Sequence, residues 1–169
     1  MKRIIIIKLK TINNNIPFSI DNYPNKNKKI KKESNLNYNN KNFIIPFPQE
    51  KPYTLIFDLD EPLIHILKGK KSFYSKSIIF RPGLINFFRN LKEYYELIIF
   101  ISGLKNYADE VINFIEKDKK YFSYRLYREN AFIRNNNYFK DLSILGRDIK
   151  KIIIIDDKKE HIFQEENNN

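Results

Sequence analysis

Two aspartates spaced one residue apart, Asp58 and Asp60, close the apolar run Tyr53-Thr54-Leu55-Ile56-Phe57. A carboxylate at the end of a buried strand is costly unless a positive partner accompanies it, because burying an unpaired charge is strongly unfavourable. A second acidic pair, Asp156-Asp157, ends another apolar run, Ile152-Ile153-Ile154-Ile155. Hard oxygen ligands from two strand ends suit Mg²⁺, which takes one or two carboxylates together with water and phosphate oxygens. Phosphoryl chemistry also needs a cation for the transferred group, and Lys140 in Tyr138-Phe139-Lys140-Asp141-Leu142 has the right type. Spacing alone favours reading Lys140 as a solvated surface charge.

The elements that must position these residues show in the apolar pattern. Leu84, Phe87, Phe88 and Leu91 recur at helical spacing after Pro82-Gly83, and Tyr107, Val111, Phe114 and Ile115 give a second helical stripe beginning near Asn106. Leu97 to Ile101 reads as a fully apolar strand, like Tyr53–Phe57 and Ile152–Ile155. Continuous apolar strands alternating with amphipathic helices predict an α/β fold, a parallel sheet covered on both faces. Ligands of such sheets collect at the carboxyl ends of the strands. Asp58 and Asp60, Ser102, and Asp156 with Asp157 all fall at that edge.

The composition bounds the rest. The chain has 169 residues and no cysteine, which excludes a disulfide scaffold, a thiolate metal site and a cysteine nucleophile. Two histidines, His65 and His161, are too few for a histidine metal cluster. No apolar run is long enough to span a bilayer. The net charge of +11 invites a nucleic-acid partner. Its distribution argues otherwise: residues 1–50 hold ten Lys/Arg against three Asp/Glu, and residues 51–169 hold 21 against 17. The bias toward Ile, Lys, Asn, Tyr and Phe also follows A/T-rich codons, so binding of nucleic acid by the basic segment is the lesser reading. Residues 1–50 are accordingly expected to be a mostly disordered Asn/Lys/Ile-rich tail, and 51–169 the folded domain. The opening Met1-Lys2-Arg3 and its isoleucines mimic a signal peptide but break at Lys8 and Lys10 without a cleavage site. The first twenty residues carry no acid, which keeps a mitochondrial presequence open beside a nuclear or cytoplasmic location.

The segments TLIFDLDEPLIH (54–65), RPGLINFFRNLKEYYELIIF (81–100), LKNYADEV (104–111), YRLYREN (124–130) and NYFKDLSILGRDIKKIIIIDD (137–157) carry a resemblance. In this order they resemble the catalytic domain of the small phosphatases of the RNA polymerase II C-terminal domain. These form the NLI-interacting-factor-like family of the haloacid dehalogenase superfamily. The resemblance implies a haloacid-dehalogenase-like parallel sheet with helices on both faces. It implies a Mg²⁺-dependent protein serine/threonine phosphatase acting through an aspartyl-phosphate on Asp58, with Asp60 as general acid and base. Mg²⁺ would be held by Asp58, the Asp60 carbonyl and Asp157, with Asp156 nearby. Lys140 would contact the phosphoryl oxygens and the nucleophile. The implied partner is a phosphoprotein substrate, and the implied state a monomer.

Three departures from the family pattern bear on activity. Pro62 stands where the first motif usually has Thr or Val, removing an N–H and a hydroxyl from the loop. Ile101 stands where the second motif places a Thr or Ser that donates to a phosphoryl oxygen, and Ser102 follows one residue later. Losing one such donor typically costs on the order of 10²–10³ in rate. The chain also stops a dozen residues past Asp157, where the family continues through a further strand and helix, so the domain is expected to be truncated on that side. These departures define an alternative: a pseudophosphatase that binds protein segments, like the translocase receptor of the same family. His65 is expected to be a packed core histidine and His161 to lie on exposed chain. The Tyr94-Tyr95 and Tyr121-Phe122 aromatics are expected to pack rather than stack on bases. Asp109 and Glu110 are expected in the first turn of their helix, where acids favour the dipole. Arg147-Asp148 has no role assignable from sequence.

Overall fold

Apolar strands with no polar face bury both sides, and here they lie side by side in one parallel sheet. The structure, a computed structural model, describes residues 5–7, 43–46, 49, 51–66 and 78–163. The strands are β1 (Ile5–Ile7), β2 (Tyr53–Phe57), β3 (Ile64–Ile66), β4 (Ile78–Phe80), β5 (Tyr95–Phe100), β6 (Tyr124–Leu126), β7 (Phe132–Arg134), β8 (Asn137–Asp141), β9 (Ile152–Ile155) and β10 (Ile162–Phe163). The helices are α1 (Leu84–Leu91) and α2 (Lys105–Ile115). The main sheet has the order β1-β9-β2-β5-β6, all neighbours parallel. The hairpin β3-β4 is antiparallel, and β10-β8-β7 form a small mixed sheet.

Alternation along the strands splits the core into two layers. Leu55 and Phe57 of β2 and Leu97 and Ile99 of β5 face α1 and α2. Ile56, Ile98, Phe100, Ile152 and Ile154 face the other way, against Leu142 and Leu145 of a 3₁₀ turn and against Ile45. Thus α-helices cover one face, and short 3₁₀ turns with the segment before β2 cover the other. Phe88 of α1 is central to the first layer, its ring 5.3 Å from Phe57 and 5.0 Å from Phe122 in edge-on contacts. Gly83 caps α1 at φ 75°, a left-handed position that glycine takes without strain. Among the described residues no helix is long and apolar enough to cross a membrane.

Several expectations need correction. Within the expected tail, Ile5–Ile7 forms β1, in register with Ile153–Ile155 of β9. Ile45 is 1% exposed, and Ile44 N–H donates to the Ile144 carbonyl. Other parts of the expected tail, and the terminal Gln164–Asn169, lie outside the described residues. The buried stripe of α2 is Ala108, Val111, Ile112 and Ile115. Phe114 is half exposed and stacks on Phe80, with ring centroids 5.0 Å apart. Because α2 begins at Lys105, Asp109 and Glu110 fall beyond its first turn. His65 is a half-exposed strand residue beside Glu61 (2.9 Å) rather than a core histidine. His161 lies half-buried in a 3₁₀ turn rather than on exposed chain. Tyr121 and Phe122 are core residues, as expected, whereas Tyr94 is exposed.

Arg147 acquires a role that its sequence context did not show. Its Nε donates to Glu96 Oε2 (2.7 Å) and Nη2 to Oε1 (2.8 Å), a two-pronged pair with both side chains buried. Thr54 Oγ1 donates to the same carboxylate (3.1 Å), and Arg147 Nη2 also donates to the Pro46 carbonyl. The cluster joins the starts of β2 and β5 to the segment preceding β2.

Candidate active site

The chain runs from β2 through β5 to β6 on one side, then returns to place β9 on the other side of β2. The strand order therefore reverses between β2 and β9, and ligands of such sheets bind at the carboxyl ends on either side of such a reversal. Asp58 follows β2 there and Asp156-Asp157 follow β9. Asp58 N–H donates to the Ile155 carbonyl, and Asp156 N–H to the Ile7 carbonyl of β1. The backbone of both motifs is thus held by the neighbouring strand.

Asp58, Asp156 and Asp157 each offer an oxygen, and the three atoms lie within 4.8 Å of one another. Lys140, 1% exposed on β8, donates from Nζ to Asp58 Oδ1 and to Asp156 Oδ2, both at 2.7 Å. This placement removes the surface-charge reading of Lys140. Asp156 Oδ1 accepts the Lys158 N–H (2.8 Å), so Asp156 is held from both sides. Burial pushes the Asp58 carboxyl up to about 6; Lys140 opposes this, and the charges of Asp156 and Asp60 add to it. A single ammonium leaves a surplus of negative charge among three clustered carboxylates. Hard oxygens at one point with surplus charge fit a small divalent cation such as Mg²⁺.

Asp60 stands apart from that cluster. Its Oδ1 accepts a hydrogen bond from Tyr107 Oη (2.5 Å), and burial holds its carboxyl above the ordinary range while this hydrogen bond opposes the shift. Burial also holds the Tyr107 phenol above its usual range, with Asp60 adding to the effect. The loop around Asp60 is tightly built: Leu63 and Ile64 N–H both donate to the Leu59 carbonyl, and Glu61 takes a left-handed φ of 74°. Pro62 is buried, and Arg81 donates from Nε to its carbonyl (2.6 Å) and from Nη2 to the Glu61 carbonyl (3.0 Å). The loop that lacks the family's hydroxyl is therefore fastened from outside by a guanidinium.

Ile101 is 1% exposed, and its N–H pairs with the Leu126 carbonyl. The Ser102 Oγ is buried and has no hydrogen-bond partner among the described residues, while its carbonyl accepts from Arg128 Nε (2.9 Å). Arg128 also lies over the Tyr138 ring, 4.8 Å from its centroid. Sequence reasoning missed Tyr107, Arg81 and Arg128. Tyr107 was counted as one apolar position in a stripe, although a hydroxyl in the first turn of a helix at the carboxyl edge was a usable signal.

Comparison with known proteins places the sequence in a family. The NLI interacting factor-like phosphatase family matches residues 53–169. A probable C-terminal domain small phosphatase of Dictyostelium discoideum is 34% identical, over 68% of this chain and 42% of its own length. The mitochondrial import inner membrane translocase subunit tim50 of Aspergillus fumigatus is 37% identical, over 66% of this chain and 22% of its own length. The structure of Fcp1, an essential RNA polymerase II CTD phosphatase, superposes with a TM-score of 0.53 at 27% identity, covering 66% of this chain and 39% of that one. The fission yeast Fcp1 bound to beryllium fluoride gives a TM-score of 0.54 at 26% identity, with the same coverage. The chain spans less than half the length of these relatives. With the family match over most of the chain, and with its motifs gathered at one sheet edge, the chain belongs to the NLI interacting factor-like phosphatase family.

Proposed function

We propose that the chain is a Mg²⁺-dependent protein serine/threonine phosphatase. The observation that carries this is the buried Lys140, 2.7 Å from both Asp58 and Asp156, beside the three clustered carboxylates. In this reading an oxygen of Asp58 attacks phosphorus, and the bond to the serine or threonine oxygen breaks as the aspartyl-phosphate forms. Asp60 gives its proton to the departing oxygen, then takes one from the water that hydrolyses the intermediate. Lys140 balances the phosphoryl charge and holds Asp58 in line. Ser102, whose hydroxyl has no partner among the described residues, serves as the phosphoryl-oxygen donor of the second motif. Asp58, the Asp60 carbonyl, Asp156 and Asp157 would hold Mg²⁺, which when bound shields the dianionic phosphate from the attacking carboxylate. The substrate class is a phosphoprotein, and the acting unit a monomer.

A second reading, a protein-binding module without turnover, is favoured by Ile101, an apolar buried side chain where the family pattern has a hydroxyl. The translocase subunits among the relatives belong with it. The retained carboxylates weigh against it, since clustered like charges destabilise a fold that has no use for a cation. Hydrolysis of p-nitrophenyl phosphate and of a phosphoserine peptide, with Asp58→Asn as blank, separates the two. Turnover that requires Mg²⁺ and vanishes in Asp58→Asn is expected. A folded protein with no turnover above the blank overturns the phosphatase reading and favours the binding module instead.

A further inference from the structure

Asp60 carries the acid–base role in the proposed reaction, yet it lies outside the carboxylate cluster and outside the reach of Lys140's hydrogen bonds. What holds its side chain is the hydroxyl of Tyr107, 2.5 Å from Oδ1. Tyr107 stands in the first turn of α2, a helix locked to the core by Ala108, Val111, Ile112 and Ile115. Its hydroxyl is therefore placed by rigid packing rather than by a flexible loop, which is what a positioning group requires.

We propose that Tyr107 is a positioning residue for Asp60: it occupies Oδ1, so that the transferable proton sits on Oδ2 and is aimed at the leaving oxygen. This rests on the phosphatase reading above. The proton balance is simple. Tyr107 keeps its own proton throughout as donor to Oδ1. The proton on Oδ2 passes to the serine or threonine oxygen as its bond to phosphorus breaks, and Oδ2 later accepts a proton from the attacking water. A phenol in this position is not interchangeable with an apolar ring of the same shape, because only the hydroxyl fixes which oxygen is free.

The leaving group provides a readout that a merely structural role would not move. p-Nitrophenolate departs without much help from an acid, whereas a serine alkoxide needs the proton in the transition state. In Tyr107→Phe the ratio of kcat/KM for a phosphoserine peptide to kcat/KM for p-nitrophenyl phosphate is expected to fall about tenfold or more. In the Asp60→Asn background the same substitution is expected to leave that ratio where Asp60→Asn alone puts it, since residues acting as one unit are not additive. An equal loss on both substrates in Tyr107→Phe, or a full further loss in the double variant, overturns the proposal while leaving the phosphatase reading standing. A wild-type chain inactive on both substrates overturns both. Should Tyr107→Phe melt early, the double variant still decides, because it is compared with Asp60→Asn at a temperature where both are folded by circular dichroism.

Discussion

Lys140 Nζ and Asp156 Oδ2 are 2.7 Å apart, and each side chain is only 1% exposed. An ion pair so withdrawn from water is strongly asymmetric: made, it is close to neutral for stability, but removing one partner strands the other. Lys140→Met is therefore expected to abolish turnover and also to destabilise the metal-free fold by about 3–5 kcal/mol. Chemical denaturation of the variant against wild type measures the second effect. A loss of activity with unchanged stability would mean that the buried carboxylates had found another partner.

The carboxylate cluster should respond to a divalent cation as a ligand. Millimolar Mg²⁺ is expected to raise the thermal midpoint of the wild-type chain, because a ligand that binds only the folded state stabilises it by mass action. Asp157→Asn, which removes one of the three converging oxygens, is expected to shrink that rise substantially. A calorimetric or fluorescence melt with and without Mg²⁺ reads it. The same rise in wild type and Asp157→Asn would place the cation elsewhere.

Toward the opposite end of the sheet from the candidate site, Glu96 and Arg147 form a buried pair. Glu96→Gln keeps the shape but removes the charge that meets Arg147 in this buried pair, and is expected to lower stability by about 3 kcal/mol. Because the site lies at the other strand ends, kcat/KM measured well below the melting temperature should change less than twofold. Denaturant midpoints and initial rates on the same preparation test both parts.

Asp109 supplies a pH dependence that owes nothing to the carboxylate cluster. Burial raises its pKa, but hydrogen bonds from Lys105, Tyr127 and Arg125 outweigh this and hold the carboxyl below its ordinary value. A depressed folded-state pKa gives stability that is present above the unfolded value of 3.8 and lost as pH falls through the folded one. Asp109→Asn should thus be less stable than wild type at neutral pH, with the gap closing as pH drops below about 4. Thermal melts between pH 3 and 7 follow the gap, and a pH-independent difference would show that packing rather than charge is responsible.

The core itself predicts one large effect. Phe88→Ala removes a fully buried ring that meets Phe57, Phe122, Tyr121 and Phe87, and is expected to cost about 3–5 kcal/mol. Urea unfolding gives the value directly.

The strands that end in acids were legible because a run such as Ile152–Ile155 admits no polar face, so its position in the sheet interior follows from composition alone. Strand β2 begins and ends where the apolar run does, at Tyr53 and Phe57. Asp58 and Asp156 were legible for the same reason, as charges where a buried strand stops. Lys140 was not legible from spacing, because its short strand alternates no better than a surface strand, and only its contact with two distant carboxylates gives it a role. Tyr107 was misplaced because helical periodicity ranks a tyrosine by its ring, and a hydroxyl partner 47 residues away leaves no local trace. Strand β1 was hidden by its surroundings: the run Ile4–Ile7 is as apolar as Ile152–Ile155, but it stands amid Lys, Arg and Asn with no helical stripe beside it, and only the open edge of β9 gives it a place.

The position of β9 between β1 and β2 sets an order of events during synthesis. As the chain is made, β2, β5 and β6 can pair with one another at once, since each follows its neighbour. Near the start of the chain, β1 has no strand to join until β9 has been made, and it then lies on one side of β9 while β2 lies on the other. Two unpaired edges therefore wait for one late insertion, a long-range closure of the kind that slows folding and invites nonproductive edge contacts. The same insertion delivers Asp156 and Asp157 to Asp58. A ribosome-bound chain lacking β9 would hold Asp58 without Asp156 and Asp157, so the candidate site is assembled only when β9 joins the sheet.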